Sequence, residues 1–226
     1  SEMQQRLRCY YLTRQVVTNR THREREMDIL DRIITSGDFV ADIGANVGVY
    51  TRAFSIRVGN TGKVFSFEPV FDNFNILKNV VHKGSLRNVE IFNAALGLKT
   101  EQREMVIPEL GGFNGYYWAH FAHTGDVGKK QTVKVFPLDE LYKENKIGHL
   151  EFLKCDVEGA ELEVLLGTKE LLQTFRPGCL IEVSRQTHLE VFDIFKSLGY
   201  TCYVYSDTLT KIDHYQDGKF SNYLFF

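Results

Sequence analysis

The chain has 226 residues, enough for one well-filled α/β domain and short for two. Hydrophobic residues make up 43% and charged residues 25%, which excludes a disordered chain, and no apolar run reaches the roughly 18–20 residues of a membrane span. A formal net charge of −2 argues against nucleic acid as a partner.

The opening Ser1-Glu2-Met3-Gln4-Gln5-Arg6 lacks the apolar stretch of a secretory signal. Residues 1–36 read as a helical extension, with Met27, Leu30, Ile33 and Ile34 at helical spacing and Gly37 as a stop. Its arginines Arg6, Arg8, Arg14, Arg20, Arg23 and Arg25 are expected on a solvated face; a phosphate-bearing partner is the alternative. Phe39–Ile43 is a short apolar run ending in a glycine turn, 47–58 a helix stopped near Gly59, and Lys63–Phe67 a second strand. A helix over 71–82 follows, with Phe74, Leu77 and Val81 on one face, then a strand over 89–95.

The alternation breaks over 103–136, read as an inserted loop and strand region. It holds an extra strand at Met105-Val106-Ile107 and a strand over 132–136. Between them, Gly111, Gly112, Phe113, Asn114 and Gly115 precede the aromatic residues Tyr116, Tyr117, Trp118 and Phe121. These rings suit either a lid over an acceptor or a small packing cluster. From 150 the pattern resumes: a strand to Asp156, a helix over 160–175 with Leu162, Leu165, Leu166 and Leu172 inward, and a strand over 179–183. A helix over 188–198 and a strand over 200–205 come next. The final apolar run, 222–226, follows its predecessor without a helix and is expected to be antiparallel. The whole predicts one α/β domain, 1–226, with a mostly parallel sheet and helices on both faces. Cys9, Cys155, Cys179 and Cys202 form no C-x-x-C pair and are expected to be reduced thiols, which fits a cytoplasmic setting.

Ligands of open parallel sheets bind beyond the carboxyl ends of the strands. The groups to weigh there are Asp42, Glu68, Asn93, Asp156 and Glu182. Asp42-Ile43-Gly44-Ala45-Asn46-Val47-Gly48 joins the first strand to its helix, and glycines there admit tight turning and close approach. The dinucleotide pattern G-x-G-x-x-G is unmet, because Asn46 and Val49 stand where two glycines belong. An acid before the turn suits a ligand with a cationic end, such as S-adenosylmethionine. Glu68, 20 residues after Gly48, suits a ribose diol, and Pro69 offers adenine an apolar edge.

This ordered set resembles the class I S-adenosylmethionine-dependent methyltransferases, and within them the FkbM-type family. The resemblance is carried by residues 42–51, by Phe67-Glu68-Pro69, by Asn93-Ala94-Ala95-Leu96-Gly97 and above all by Lys154-Cys155-Asp156-Val157-Glu158-Gly159-Ala160-Glu161. It implies a Rossmann-like seven-stranded, mostly parallel sheet with a reversed last strand, and O-methylation, commonly on a sugar or polyketide-like hydroxyl. It also implies that Asp42, Gly44, Asn46, Gly48, Tyr50, Thr51, Glu68, Pro69, Asn93 and Ala94, with Asp156, line the cofactor.

Methyl transfer to a hydroxyl requires in-line alignment, exclusion of water and a base. Asp156, Glu158 and Glu182 are the catalytic candidates; the alternative for Asp156 and Glu158 is helix capping. The three carboxylates also suit a hard cation, though no metal is assigned. His188 reads as structural, and His120 with His123 falls short of a zinc set. Three rival functions remain: a nucleotide-sugar or NAD enzyme, an N-methyltransferase and a non-catalytic cofactor-binding module. The second expects prolines after the fourth core strand, where Asp156-Val157-Glu158-Gly159 stands.

Overall fold

The computed structural model describes residues 2–21, 24–110 and 113–226; Ser1, His22, Arg23, Gly111 and Gly112 lie outside them. The N-terminal extension is two helices, α1 (Glu2–Val17) and α2 (Met27–Ile33), rather than one. Asn19, at a φ of 56°, is the left-handed residue that ends α1. The first half of the sheet follows: β1 (Phe39–Ile43), α3 (Val49–Val58), β2 (Lys63–Phe67), α4 (Phe71–Lys83) and β3 (Val89–Phe92). Helix α4 is rotated from its expected face. It buries Asn73, Ile76, Leu77 and Val80, while Phe74 and Val81 are half-buried, because its Asn73 edge faces the N-terminal helix.

The third strand stops at Phe92, and β4 (Ala95–Leu96) leaves for a second sheet. That sheet, which takes in the stretch 103–136 where the alternation breaks, continues with β5 (Glu101–Leu110), β6 (Phe113–Asn114), β7 (His120–Phe121) and β8 (Gly128–Phe136). Strands β5 and β8 form a long antiparallel ribbon, β4 runs parallel to β8, and β6 and β7 pair with β5. Next come α5 (Leu138–Lys143), β9 (Phe152–Cys155), α6 (Glu161–Leu166) and α7 (Lys169–Phe175). The single helix expected over 160–175 is therefore split. A Cβ at Gly167 would collide with the Gly97 carbonyl, and both carboxylate oxygens of Asp139 accept backbone N–H groups, from Glu170 and Leu171, at the start of α7. The break leaves Leu166 exposed.

The chain closes with β10 (Gly178–Glu182), α8 (His188–Ser197), β11 (Cys202–Ser206), β12 (Thr208–Ile212) and β13 (Asn222–Phe225). The main sheet has the order β12-β11-β13-β10-β9-β1-β2-β3. From β10 to β3 all neighbours are parallel; β13 is antiparallel to both β10 and β11. Seven of these strands are the expected ones. The eighth, β12, hairpins onto the β11 edge, and its mostly exposed residues supply little of the alternation that marks a strand. Two apolar layers cover the sheet. One holds Ile43, Phe67, Leu153 and Ile181; the other holds Val40, Phe54, Val64 and Leu180. Cys155, Cys179 and Cys202 are buried free thiols and Cys9 is half-buried. Among the described residues no helix is long and apolar enough to cross a membrane.

Candidate functional site

A cavity of about 480 Å³ opens at the carboxyl ends of β1, β2, β9 and β10. Of the residues singled out above, Gly44, Asn46, Tyr50, Glu68, Pro69, Ala94, Asp156, Glu158 and Glu182 line it; Asp42, Gly48, Thr51 and Asn93 stand outside its wall.

The β1 side is built by close packing. A Cβ on Gly44, which holds a φ of 78°, would collide with the Asp156 carbonyl oxygen, so the first turn must be bare for the β9 loop to cross it. Asn46 follows at a φ of 50°, and its Oδ1 is buried without a partner. Glu68 is 4% exposed and clasped by backbone: its Oε2 accepts the Asn46 N–H at 2.8 Å and its Oε1 accepts the Val70 N–H at 2.7 Å. Burial pushes this carboxyl up to about 7 despite those bonds. Each oxygen retains a further acceptor position. Asn93 is exposed and acts from behind, its amide donating to the carbonyls of Glu68 and Pro69.

Asp42 lies beneath this turn, fully buried. Its Oδ2 accepts the Thr51 hydroxyl at 2.5 Å, and Thr51 meets the Ser66 hydroxyl at 3.0 Å. Burial raises the Asp42 carboxyl, and the charge of Lys154, its register neighbour on β9, opposes that. Gly48 starts α3, with Leu77 of α4 packed where a Cβ would stand.

The β9 side is crowded with charge. Lys154, 3% exposed, donates to Asp156 Oδ2 at 2.9 Å and lies 4.7 Å from the Tyr50 ring centroid. Burial favours the neutral amine, but Asp156 and Asp42 outweigh it and hold the ammonium charged. Burial likewise pushes Asp156 up, and Lys154 with a hydrogen bond from Glu182 overcomes it, holding Asp156 below the usual carboxylate range. Glu182 takes the opposite state: burial, then the charge of Asp156, raise it to about 9, so it carries the shared proton. Glu158 sits at a φ of 54°, faces solvent at the mouth, and is raised to about 7 by burial of its carboxyl and by Asp156 and Glu161. One oxygen from each of Asp156, Glu158 and Glu182 lies within 4.8 Å of the others. Neither Asp156 nor Glu158 caps α6; the carboxylate that accepts the loop's N–H is Glu161, from Gly159 at 2.9 Å.

The second sheet supplies the remaining wall. Met105, Tyr116, Ala119 and Phe121 are buried together and line the cavity; Tyr117 reaches it half-exposed, and Trp118 does not. Two guanidinium groups back the rings, Arg8 at 4.0 Å from Tyr116 and Arg103 at 3.6 Å from Phe121. His120 turns to Asp126 at 3.1 Å, and His188 bonds the Arg185 carbonyl and stacks on Tyr215, away from the cavity. Of the N-terminal arginines, Arg6 pairs with Glu2 and Arg8 donates to Asn73. Sequence reasoning assigned no role to Lys154, although a lysine in an apolar strand is itself a signal. It missed Leu12, Gln15, Thr21 and Glu24, which reach the wall from the N-terminal segment; nothing local marks them.

The strand order and the strand-end cavity define the class I methyltransferase fold. The chain belongs to the FkbM methyltransferase family: the profile "Methyltransferase FkbM domain" matches residues 42–202. Hexuronic acid methyltransferase AglP of Haloferax volcanii is 26% identical over 153 residues, covering 66% of this chain and 59% of its own. Methyltransferase FkbM from Methylobacillus flagellatus superposes with a TM-score of 0.57 at 16% identity, covering 85% of this chain and 44% of that one. An S-adenosylmethionine-dependent O-methyltransferase from Thermotoga maritima gives 0.52 at 12%, covering 95% and 69%. The chain thus spans under two thirds of the length of the first two.

Proposed function

We propose that this chain binds S-adenosylmethionine and methylates a hydroxyl of a saccharide or similar small acceptor. The observation that carries the reading is Glu68, whose oxygens are each anchored by one backbone N–H and each left with room for another donor. That is a receptor for a ribose diol, set beside a turn that leaves Asn46 Oδ1 buried and unpaired. The residues fit the cofactor. Glu68 would take the ribose, Pro69 and Ala94 would flank the adenine, and Gly44 and Asn46 would line the passage between. Asp42, Gly48 and Thr51 hold that turn from behind, and Asn93 clips the β2 end.

When bound, the cofactor supplies an electrophilic methyl group on a sulfonium. The chain's own task is to bring an acceptor oxygen to it in line and to remove the hydroxyl proton. Glu158, near 7, is suited to accept that proton on a carboxylate oxygen at neutral pH. Glu182, protonated, donates to Asp156, and Lys154 keeps Asp156 ionised. With that proton shared between them, the free carboxyl oxygens of the pair can accept hydrogen bonds from acceptor hydroxyls. The apolar wall of Tyr116 and Phe121 suits the C–H face of a sugar. The saccharide class is further supported by the name of the Haloferax relative.

Calorimetric titration with S-adenosylhomocysteine, with NAD as control, tests the cofactor. Saturable binding of the first alone is expected; binding of NAD alone, or of neither, overturns it. Transfer of labelled methyl to a panel of hexuronates and neutral sugars then tests the acceptor.

A further inference from the structure

We propose that Glu24 is a cofactor-binding residue whose carboxylate receives the ammonium group of the cofactor's methionine moiety. The inference rests on the cofactor reading above, yet it concerns a residue outside the matched family segment, which begins at 42.

Glu24 lies between α1 and α2 and is held on both sides. The Asn19 stop of α1 is tied to α3 through the Arg52 guanidinium at 3.3 Å. The Met27 N–H donates to the Glu24 carbonyl at 3.2 Å, and Met27, Ile29 and Leu30 of α2 are sunk in the core. The side chain is aimed by Tyr50, whose hydroxyl donates to Oε2 at 2.6 Å. Tyr50 itself is 5% exposed on the first turn of α3, with its ring against Phe54. One carboxylate oxygen is thereby fixed at the cavity wall, and a carboxylate accepts several further donors.

The charge balance says what it waits for. Among the described residues lining the cavity, Lys154 is the one basic side chain, and it is committed to Asp156 at 2.9 Å. Lys154 feels the charge of Glu24 but is bonded to Asp156, so among the described residues Glu24 brings to this end of the cavity an anion that makes no ion pair. With the ribose at Glu68 and the adenine toward Pro69 and Ala94, the remaining space runs across the Gly44 turn to Tyr50, Glu24 and Asp156. The amino-acid tail must end there. The N-terminal segment thus forms the fourth side of the cofactor pocket.

The rival role is purely mechanical: Glu24 clamps the α1–α2 connection to α3 through Tyr50. Glu24→Gln separates the two, because glutamine still accepts the Tyr50 hydroxyl but carries no charge. Wild type and variant are titrated with S-adenosylhomocysteine and with 5′-methylthioadenosine, which keeps the adenosine and sulfur but lacks the amino-acid tail. The expected result is about tenfold weaker binding of the first and unchanged binding of the second. Equal weakening of both, no weakening, or tighter binding of S-adenosylhomocysteine overturns the assignment. Tyr50→Phe, which frees the carboxylate without discharging it, is expected to weaken S-adenosylhomocysteine binding by less than Glu24→Gln; an equal or larger loss also overturns it. If the wild type binds neither ligand, the cofactor reading falls and this assignment with it. If the wild type binds both and Glu24→Gln changes nothing, this assignment alone falls.

Discussion

The two halves of the cavity solve opposite problems with the same residue type. On the β1–β2 side, Glu68 meets backbone: two N–H groups meet two oxygens, and no side-chain cation is needed. On the β9–β10 side, Asp156, Glu158 and Glu182 meet one another, and order comes from Lys154 and a shared proton. Backbone donors cannot move or titrate, which suits a site that holds a ligand in one pose. Facing carboxylates push their proton affinities apart, which suits a site that handles protons. Both loops carry a non-glycine residue at positive φ, Asn46 on one and Glu158 on the other. Strain of that kind persists where surrounding structure enforces it, and here the two strained turns touch through Gly44 and Asp156.

The contact between the halves is therefore the place where the comparison breaks most violently. Gly44→Ala drives a methyl group into the Asp156 carbonyl and requires a left-handed backbone of an alanine. A loss of more than about 3 kcal/mol is expected in urea unfolding, with binding of S-adenosylhomocysteine abolished. A variant of wild-type stability would show that the two turns yield independently.

Within the binding half, Glu68→Gln tests whether backbone clasping is what matters. The amide must point its NH₂ at the N–H of Asn46 or of Val70, setting donor against donor. The expected cost is about 1–3 kcal/mol, and S-adenosylhomocysteine should bind at least about tenfold more weakly. Unchanged affinity in calorimetry would remove Glu68 as the ribose receptor.

The difference between the halves also governs what could be read in advance. Phe39–Ile43 and Lys63–Phe67 are legible to the residue, because short apolar runs between turn signals are local facts. Gly44, Glu68, Asp156 and Glu182 are legible as strand-end residues once the sheet is known to be parallel. The split between α6 and α7 is not, because it depends on Asp139, some 30 residues away, and on the Gly97 carbonyl. The rotated face of α4 depends on Arg8 meeting Asn73 across 65 residues. Glu24 reaches the site only because Asn19 ends α1, and Lys154 gains its role only beside Asp42 in register. Strand β12 carries no buried alternation at all, so the eighth strand has no periodic signature.

In the carboxylate-rich half, Glu182→Gln sharpens the contrast through pH. The folded-state value of Glu182, near 9, lies above its ordinary 4.5, so between those values the native state binds more protons than the unfolded chain. Stability contributed by this group is present below about pH 4.5 and is lost as pH rises toward 9. Glutamine keeps a hydrogen-bond donor for Asp156 and removes the titration. The variant should nearly match wild type at pH 4 and exceed it at pH 8, by about 1.4 kcal/mol if one pK unit of the shift survives solvent screening. Parallel stability curves across that range would mean that Glu182 is ionised beside Asp156.

The smallest effect is expected where the binding half meets solvent. Asn93→Ala removes two side-chain hydrogen bonds, to the carbonyls of Glu68 and Pro69 at 2.9 and 3.1 Å. The Pro69 carbonyl keeps the Gln131 side-chain amide at 2.9 Å and the Asn93 side chain is exposed, so the loss should be about 0.5–1 kcal/mol in urea unfolding. The Glu68 carboxylate keeps its two N–H donors, so S-adenosylhomocysteine affinity should fall by no more than about threefold. A drop as large as that of Glu68→Gln would mean that the turn is set by its side-chain clip and not by the backbone clasp, and the distinction between the two halves would then have to be redrawn.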